Sequence, residues 1–250
     1  MALTAVQLER HKRHLLVHDI GGPGVQKLVG AKVSIVGAGA LGGPCAMYLA
    51  AAGVGEIHIY DDDVVDLSNL QRQVQFSEAD LGHSKAETLA FQLSRMNGTI
   101  RAIPHTLRVA EETELECEII IDATDNFEAR YALNDISREI SVPLVSGAAN
   151  IWAGQVSVFA SGIDPDQPCY RCWVPELPEN AENCDTLGVV GPVTGMVATR
   201  MALETIKLIT GAGPALIGKL WILDGRSGDA RTIKLRKDQA CQACGPVSFL

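Results

Sequence analysis

The sequence lacks the features of a membrane or exported protein. It contains no uninterrupted apolar run of about 18 residues, the length that a membrane-spanning helix requires. Its first residues include neither the apolar core nor the small-residue cleavage site of a signal peptide. We therefore expect a cytoplasmic protein that has no membrane partner.

Positive charge is also scarce. Lys and Arg number 21 against 30 Asp and Glu, which gives a net charge of −9. Nucleic acids and anionic membranes require clustered positive charge, so neither is expected as a main partner. Repeats, low-complexity tracts and flexible linkers are absent as well. The composition that remains, 250 residues of which 47% are hydrophobic, is typical of a globular protein with a sizeable core.

The cysteines indicate a metal site. Seven is an odd number, and a disulfide framework does not suit a reducing compartment. Two C-x-x-C pairs can each supply two thiolates from one tight turn, which completes a tetrahedral S₄ site. The predicted ligands of a structural Zn²⁺ are Cys169, Cys172, Cys241 and Cys244. A redox role is the alternative; it is disfavoured because neither pair is expected to open a helix after a strand.

Strands alternate with helices along the first 150 residues. The pattern predicts strands at Lys32–Val36, Glu56–Tyr60, 99–103, 118–122 and 143–146, with helices at 40–52, 84–96 and 127–140. Further strands are predicted at 155–159, Lys219–Asp224 and 231–235, and a long helix at 190–210. We therefore expect a Rossmann-like α/β fold. Its mostly parallel sheet is flanked by helices and extended by C-terminal antiparallel strands and the zinc site.

A glycine-rich turn follows the first predicted strand. Residues 37–43 read G-A-G-A-L-G-G and precede a helix, the context in which G-x-G-x-x-G binds phosphate. Asp61 ends the second strand, 19 residues beyond Gly42, where an acidic residue can bind ribose hydroxyls. The candidate nucleotide-binding residues here are Gly37, Gly39, Ala40, Gly42 and Asp61. The motif alone does not separate NAD from ATP, and a turn that only packs strand on helix is the alternative.

Polar residues beyond Asp61 favour ATP. Residues 61–73 read D-D-D-V-V-D-L-S-N-L-Q-R-Q, and Lys85 follows at the start of a helix. A dehydrogenase has no need of such a cluster, whereas a triphosphate is neutralised by Arg and Lys. A carboxylate after the fourth strand can hold Mg²⁺. The candidates are Asp63, Ser68, Asn69, Leu70, Gln71, Arg72, Lys85, Asp125 and Asn126.

Taken together, these motifs and the paired C-x-x-C sequences resemble the ThiF/MoeB/HesA family over essentially the whole chain. The family comprises bacterial relatives of ubiquitin-activating enzymes. The resemblance implies a homodimeric adenylyltransferase that uses ATP and Mg²⁺ to activate the C-terminal Gly-Gly of a ubiquitin-like sulfur carrier, of the ThiS or MoaD type. It implies that Asp61 holds the ribose, that Asn69, Arg72 and Lys85 contact the phosphates, and that Asp125 serves the Mg²⁺.

The resemblance also implies roles for Arg13 and Cys184. Arg13 would reach into the partner subunit's ATP site, although histidines replace two residues of the family's N-terminal motif; a basic helix face is the alternative. Cys184, in a polar loop before a long helix, would act as a nucleophile, as in the thiazole branch; an incidental loop cysteine is the alternative. Ala40 departs from the glycine usual at its position.

One adenylation domain is therefore expected over residues 1–250. It comprises an N-terminal helical arm (1–30), a nucleotide-binding half (31–150) and a carrier-binding and zinc half (151–250). No room remains for a rhodanese domain, so a separate sulfur donor is expected. Two other function classes stay open. A non-catalytic scaffold would lack the phosphate-binding cations, and an NAD-dependent oxidoreductase would need a hydride-transfer site, for which no acid–base pair stands out.

Overall fold

The computed structural model describes residues 2–176 and 188–245, so Cys184 lies outside the described residues. The strands are β1 (Lys32–Val36), β2 (Glu56–Tyr60), β3 (Arg101–His105), β4 (Ile119–Asp122), β5 (Leu144–Asn150), β6 (Ala153–Phe159), β7 (Lys219–Asp224) and β8 (Ala230–Lys234). The helices are α1 (Ala5–Arg10), α2 (Lys12–Leu15), α3 (Gly21–Gly30), α4 (Gly42–Ala52), α5 (Lys85–Met96), α6 (Phe127–Glu139), α7 (Tyr170–Trp173) and α8 (Gly191–Thr210). Two short 3₁₀ turns, Leu67–Asn69 and Glu78–Asp80, precede α5.

One eight-stranded sheet runs in the order β3-β2-β1-β4-β5-β6-β7-β8. The first five strands in this order are parallel, and β5 to β8 are joined by antiparallel pairs. In the parallel part, Val36 of β1 lies beside both Tyr60 and Asp122. The segments that follow β1, β2 and β4 therefore begin side by side at the carboxyl edge of the sheet, where ligands bind in open α/β sheets.

Helices cover both faces of the sheet. On one face, side chains of α3, α4, α5 and α8 pack on β1, β2, β4 and β6. The largest fully buried ones are Leu28, Ile35, Leu49, Ile57, Ile59, Leu89, Leu93, Ile121 and Met201. On the other face, α6 and α7 supply Leu133 and Tyr170, which belong to a second cluster with Ile120 and Phe159. The expected α/β architecture is confirmed. Among the described helices, none has both the length and the apolar character needed to cross a membrane.

Several element boundaries differ from expectation, and three of these differences have local reasons. β3 begins two residues later than predicted because the Asn97 side chain accepts hydrogen bonds from the backbone and hydroxyl of Thr99, at 3.1 and 2.7 Å, which keeps Thr99 in a turn. α4 begins at Gly42 because the residues before it form the glycine-rich turn. β5 extends to Asn150 because β6 pairs with it along its whole length.

Candidate active site

A cleft of about 550 Å³ opens at the carboxyl edge of the parallel strands. Its volume lies in the range of small-molecule sites. Nine of the nucleotide-site candidates line it: Gly37, Gly39, Ala40, Asp61, Asp63, Arg72, Lys85, Asp125 and Asn126. The structure therefore brings together residues that come from four separate segments of the chain.

Steric constraints at the glycine-rich loop explain two of its glycines. Gly37 has a left-handed backbone with φ +95°, and a Cβ there would lie 2.7 Å from the Ala123 carbonyl oxygen. A Cβ at Gly42 would lie only 1.7 Å from the carbonyl oxygen of Gly37. The backbone at Ala40 is not left-handed, so alanine is accommodated there without strain.

Asp61 is bound to the glycine-rich loop itself. Its carboxylate accepts the N–H of Ala38 at 2.7 Å and the N–H of Asp63 at 2.9 Å. Burial raises the pKa of Asp61, while these two donors and the charge of Lys85 oppose the increase. The carboxylate thus lies at the cleft wall with its orientation fixed, where a ribose hydroxyl could donate to it.

Lys85 presents a buried ammonium group at the same wall. Its side chain is 7% exposed, and Nζ lies 2.8 Å from Oδ2 of Asp63, whose side chain is 62% exposed. Asp63 was predicted as a nucleotide-binding residue; in the structure it is the ion-pair partner of Lys85. The Asp63 carboxylate is hydrated, so it neutralises the Lys85 ammonium group only in part. The ammonium group can therefore attract a phosphate while it keeps its ion pair with Asp63.

A hydrogen-bonded turn carries Arg72 to the cleft. Asp66 caps the first 3₁₀ turn by accepting the N–H of Ser68 at 2.8 Å, and Arg72 Nη1 donates to the Ser68 carbonyl oxygen at 3.1 Å. Asn69 Oδ1 accepts from Nε2 of the buried Gln73 at 3.2 Å. The candidates that do not line the cleft wall are Gly42, Ser68, Asn69, Leu70 and Gln71, and their contacts with nucleotide stay predictions.

The two aspartates at the end of β4 and just beyond it have different environments. Asp122 is fully buried and accepts from the Thr124 hydroxyl at 2.7 Å and the Ser146 hydroxyl at 2.6 Å. Asp125 is exposed on the cleft wall, and Asn126 caps α6 by accepting the Ala129 N–H at 2.9 Å. Asp125 is therefore the carboxylate of this segment that could hold Mg²⁺, a cation that takes oxygen ligands.

Arg130 is a cleft residue that the sequence pattern did not indicate. This buried residue lines the cleft, and its Nη2 donates to the carbonyl oxygens of Thr124 and Gly147 at 2.7 and 3.3 Å. It thus joins the loop that carries Asp125 to the middle of β5. The available signal was a basic residue one helical turn beyond Asn126, which the prediction treated only as part of a helix.

Arg13 lies outside the cleft in the single chain. It is exposed on α2 and lines a shallow depression with Glu9, Arg10, Lys12 and Leu16. Its neighbour His11 is buried and lies against Gly53, where a Cβ would come within 2.3 Å of the imidazole ring. The arm is therefore docked on the body through His11, and the role of Arg13 in a partner's site stays a prediction.

The two C-x-x-C pairs meet. Sγ–Sγ distances are 3.9 Å for Cys169–Cys172, 3.6 Å for Cys169–Cys241 and 3.3 Å for Cys172–Cys244, and all four sulfurs lie within 4.8 Å of one another. Tetrahedral zinc with Zn–S bonds of about 2.3 Å separates its sulfurs by about 3.8 Å, so this donor set fits the ion. Cys169 precedes the single-turn helix α7, but nine residues separate it from the end of β6, so the first pair does not open a helix directly after a strand.

Known proteins resemble this chain over most of its length. The ThiF family model matches residues 11–243. The chain is 42% identical over 243 residues to the adenylyltransferase and sulfurtransferase MOCS3 of Caenorhabditis briggsae, covering 94% of this chain and 60% of that protein. It is 40% identical over 251 residues to the SAMP-activating enzyme E1 of Haloferax volcanii, covering 98% and 92%. The chain spans about half the length of six further MOCS3 relatives, between 52% and 57%.

Solved structures share the fold. A crystal structure of E. coli MccB with MccA-N7isoAsn superposes with a TM-score of 0.84 at 22% identity, covering 98% of this chain and 76% of that one. The structure of PaaA gives a TM-score of 0.80 at 21% identity, covering 94% and 84%. The match of the family model over most of the sequence confirms the resemblance found in the motifs, and this chain belongs to the ThiF family.

Proposed function

We propose that this chain is an ATP-dependent adenylyltransferase that activates the C-terminal glycine carboxylate of a ubiquitin-like sulfur carrier, of the ThiS or MoaD type. The observation that carries the proposal is the convergence of Lys85, Arg72 and Asp125 on one cleft beside the glycine-rich loop. The names of the relatives, adenylyltransferase and E1 enzyme, support the enzyme class. The sulfur donor is a separate protein, the enzyme acts as a homodimer, and its location is cytoplasmic.

The reaction requires two anions to come together. An oxygen of the carrier carboxylate attacks the α-phosphorus of ATP, the bond from that phosphorus to the bridging oxygen breaks, and pyrophosphate leaves. No oxidant or reductant takes part. Arg72 and Lys85 would neutralise the charge that develops on the leaving pyrophosphate, and Asp61 would fix the ribose. Because the protein forms no bond to the substrate in this step, positioning and electrostatics supply the rate enhancement.

Two metals complete the proposal. Asp125 would hold Mg²⁺, which shields phosphate charge when bound. Cys169, Cys172, Cys241 and Cys244 would hold a structural Zn²⁺ that closes the C-terminal segment onto the body. Within the one domain, residues 31–150 would bind the nucleotide and residues 151–250 the carrier. Cys184 would act after adenylation, in sulfur transfer.

Pyrophosphate exchange tests the proposal. Purified chain, ATP, Mg²⁺ and labelled pyrophosphate are incubated with ThiS-type and MoaD-type carriers, each compared with the same carrier lacking its terminal glycine. We expect exchange that depends on an intact carrier tail. Tight NAD binding without exchange would instead support the oxidoreductase, and absence of both would support the scaffold.

A further inference from the structure

Gln75 lies buried beneath the glycine-rich loop. It is 6% exposed, and its Nε2 donates to the carbonyl oxygens of Ala38 at 2.9 Å and Gly39 at 3.0 Å. Both neighbours are hydrogen-bond acceptors, so the side-chain NH₂ group must face the loop and the orientation of the amide is determined. Gln75 does not line the cleft. Its contact with the loop lies outside the cleft lining.

Gly43 provides the room for this glutamine. A Cβ at position 43 would lie 2.2 Å from both Cδ and Nε2 of Gln75. The backbone of Gly43 is not left-handed, so its conformation alone does not require glycine. The second glycine of the Gly42–Gly43 pair is therefore explained by the side chain of Gln75.

The two hydrogen bonds determine where the loop N–H groups point. In a trans peptide the C=O of one residue and the N–H of the next are antiparallel. With the carbonyls of Ala38 and Gly39 directed at Gln75, the N–H groups of Gly39 and Ala40 point away from it. Gly39 and Ala40 line the cleft, and no acceptor in the described part of the chain takes their N–H groups. The N–H of Ala38, by contrast, is occupied by Asp61.

We propose that Gln75 is a positioning residue that holds the N–H groups of Gly39 and Ala40 toward a bound phosphate. The inference rests on the proposed nucleotide site and adds the element that preorganises it. Without the Gln75 amide, the Ala38 carbonyl oxygen loses the N–H donor that fixes its peptide plane. The Gly39 carbonyl keeps its bond from the Gly43 N–H at 3.0 Å. Peptide planes that can rotate offer phosphate a less ordered set of donors.

The test substitutes Gln75→Met, which keeps the length of the side chain and removes its donors. Affinities for adenosine, AMP, ADP and ATP are measured by competition on the full chain. We expect the Kd for ATP to rise about tenfold, the effect of one or two lost hydrogen bonds, while the Kd for adenosine is unchanged because adenosine has no phosphate. Gln26→Met, at an exposed position of α3, is the matched control and should bind all four ligands like the wild type.

A second variant reaches the same contact from the other side. Gly43→Ala places a methyl group where Gln75 lies, outside the cleft lining, and should give the same ATP-selective loss. In Gln75→Ala, the space that the Gln75 amide occupies beside Gly43 is empty, so the added methyl group of Gly43→Ala meets no side chain there. Adding Gly43→Ala to that variant should therefore change ATP affinity little. Gly43→Ala also carries the test if Gln75→Met does not fold, as judged by thermal melting.

Three results would overturn the inference. The first is unchanged ATP affinity in folded Gln75→Met, and the second is an equal loss of affinity for ATP and adenosine in that variant. The third is full additivity of the effects of Gln75→Ala and Gly43→Ala on ATP affinity. Failure of the wild-type chain to bind ATP would refute the proposed function instead, so the two hypotheses are distinguishable.

Discussion

Replacing Lys85 by Met should separate catalysis from stability. The variant keeps the apolar stem of the side chain and removes the ammonium group, which lies 2.8 Å from Asp63. Asp63 is 62% exposed and becomes hydrated, so the loss of the pair should cost about 1 kcal/mol of unfolding free energy or less. The rate effect should be much larger. A charge contact made mainly in the transition state in a site protected from water contributes roughly 10²- to 10³-fold, or about 2.7–4 kcal/mol.

Lys207 offers a matched control with the reverse expectation. It is also a largely buried lysine in an ion pair, 17% exposed with Nζ 2.7 Å from Glu204 Oε1, but it lies on α8 outside the cleft. Glu204 is fully buried, and it retains Arg200 at 2.9 Å and the Leu216 N–H at 2.8 Å when Lys207 is replaced. Lys207→Met should therefore lose about 1–3 kcal/mol of stability and keep the exchange rate.

The assay pairs carrier-dependent pyrophosphate exchange with urea unfolding on both variants. The expected result is a crossed pattern, in which Lys85→Met loses rate and Lys207→Met loses stability. Near-wild-type exchange by Lys85→Met would show that its ammonium group does not act on the phosphates. A parallel loss of rate and stability in Lys85→Met would show that the residue is structural.

Two further outcomes follow from the metal cluster and the arm. Elemental analysis should find about one zinc per chain, and Cys241→Ser should lose the metal and melt at a lower temperature. The control Cys45→Ser, in the core, should keep the metal. Metal-free wild-type protein of equal stability would contradict the zinc site. Burial, aided by His14 and Arg10, lowers the pKa of His11 below its ordinary 6.5, so the released arm binds the proton more readily than the docked arm. Docking stability is therefore present above about pH 6.5 and lost as pH falls through the lowered pKa. Tryptic cleavage after Arg10 and Arg13 should accelerate on acidification in the wild type and not in His11→Phe.

Much of the fold and part of the site could be predicted because their signals are local. The bounds of β1, β2 and β7 agree with the sequence pattern, since each strand is a short run of β-forming residues ended by turn residues. Gly37, Asp61 and Asp125 were found because each lies just beyond a strand, and parallel strands bring their carboxyl ends to one edge. Spacing alone could not separate the side chains that line the cleft from Ser68 and Leu70, which lie off its wall.

What the sequence did not reveal depends on contacts between distant segments. Gly43 reads as one more residue of a glycine-rich motif, and Gln75 as one more polar residue after Arg72. Only their contact explains both. Arg130 was missed for a similar reason: its hydrogen bonds to Thr124 and Gly147 join a loop to strand β5, and helical periodicity carries no information about them.

The cysteine cluster lies closer to the nucleotide cleft than its sequence spacing indicates. The wide separation of the pairs predicts only a clip for the C-terminal segment. In the structure, the first C-x-x-C turn is bound to α6: the Tyr170 N–H donates to Asn134 Oδ1 at 2.8 Å, and Arg171 lies 3.1 Å from Asp135. Tyr170 and Trp173 of the same turn line the cleft. Loss of the metal would therefore disturb a cleft wall as well as stability. It follows that reduced exchange in Cys241→Ser is no evidence that this thiol takes part in the reaction, and that the roles of cysteines in sulfur transfer must be tested in variants that retain the metal.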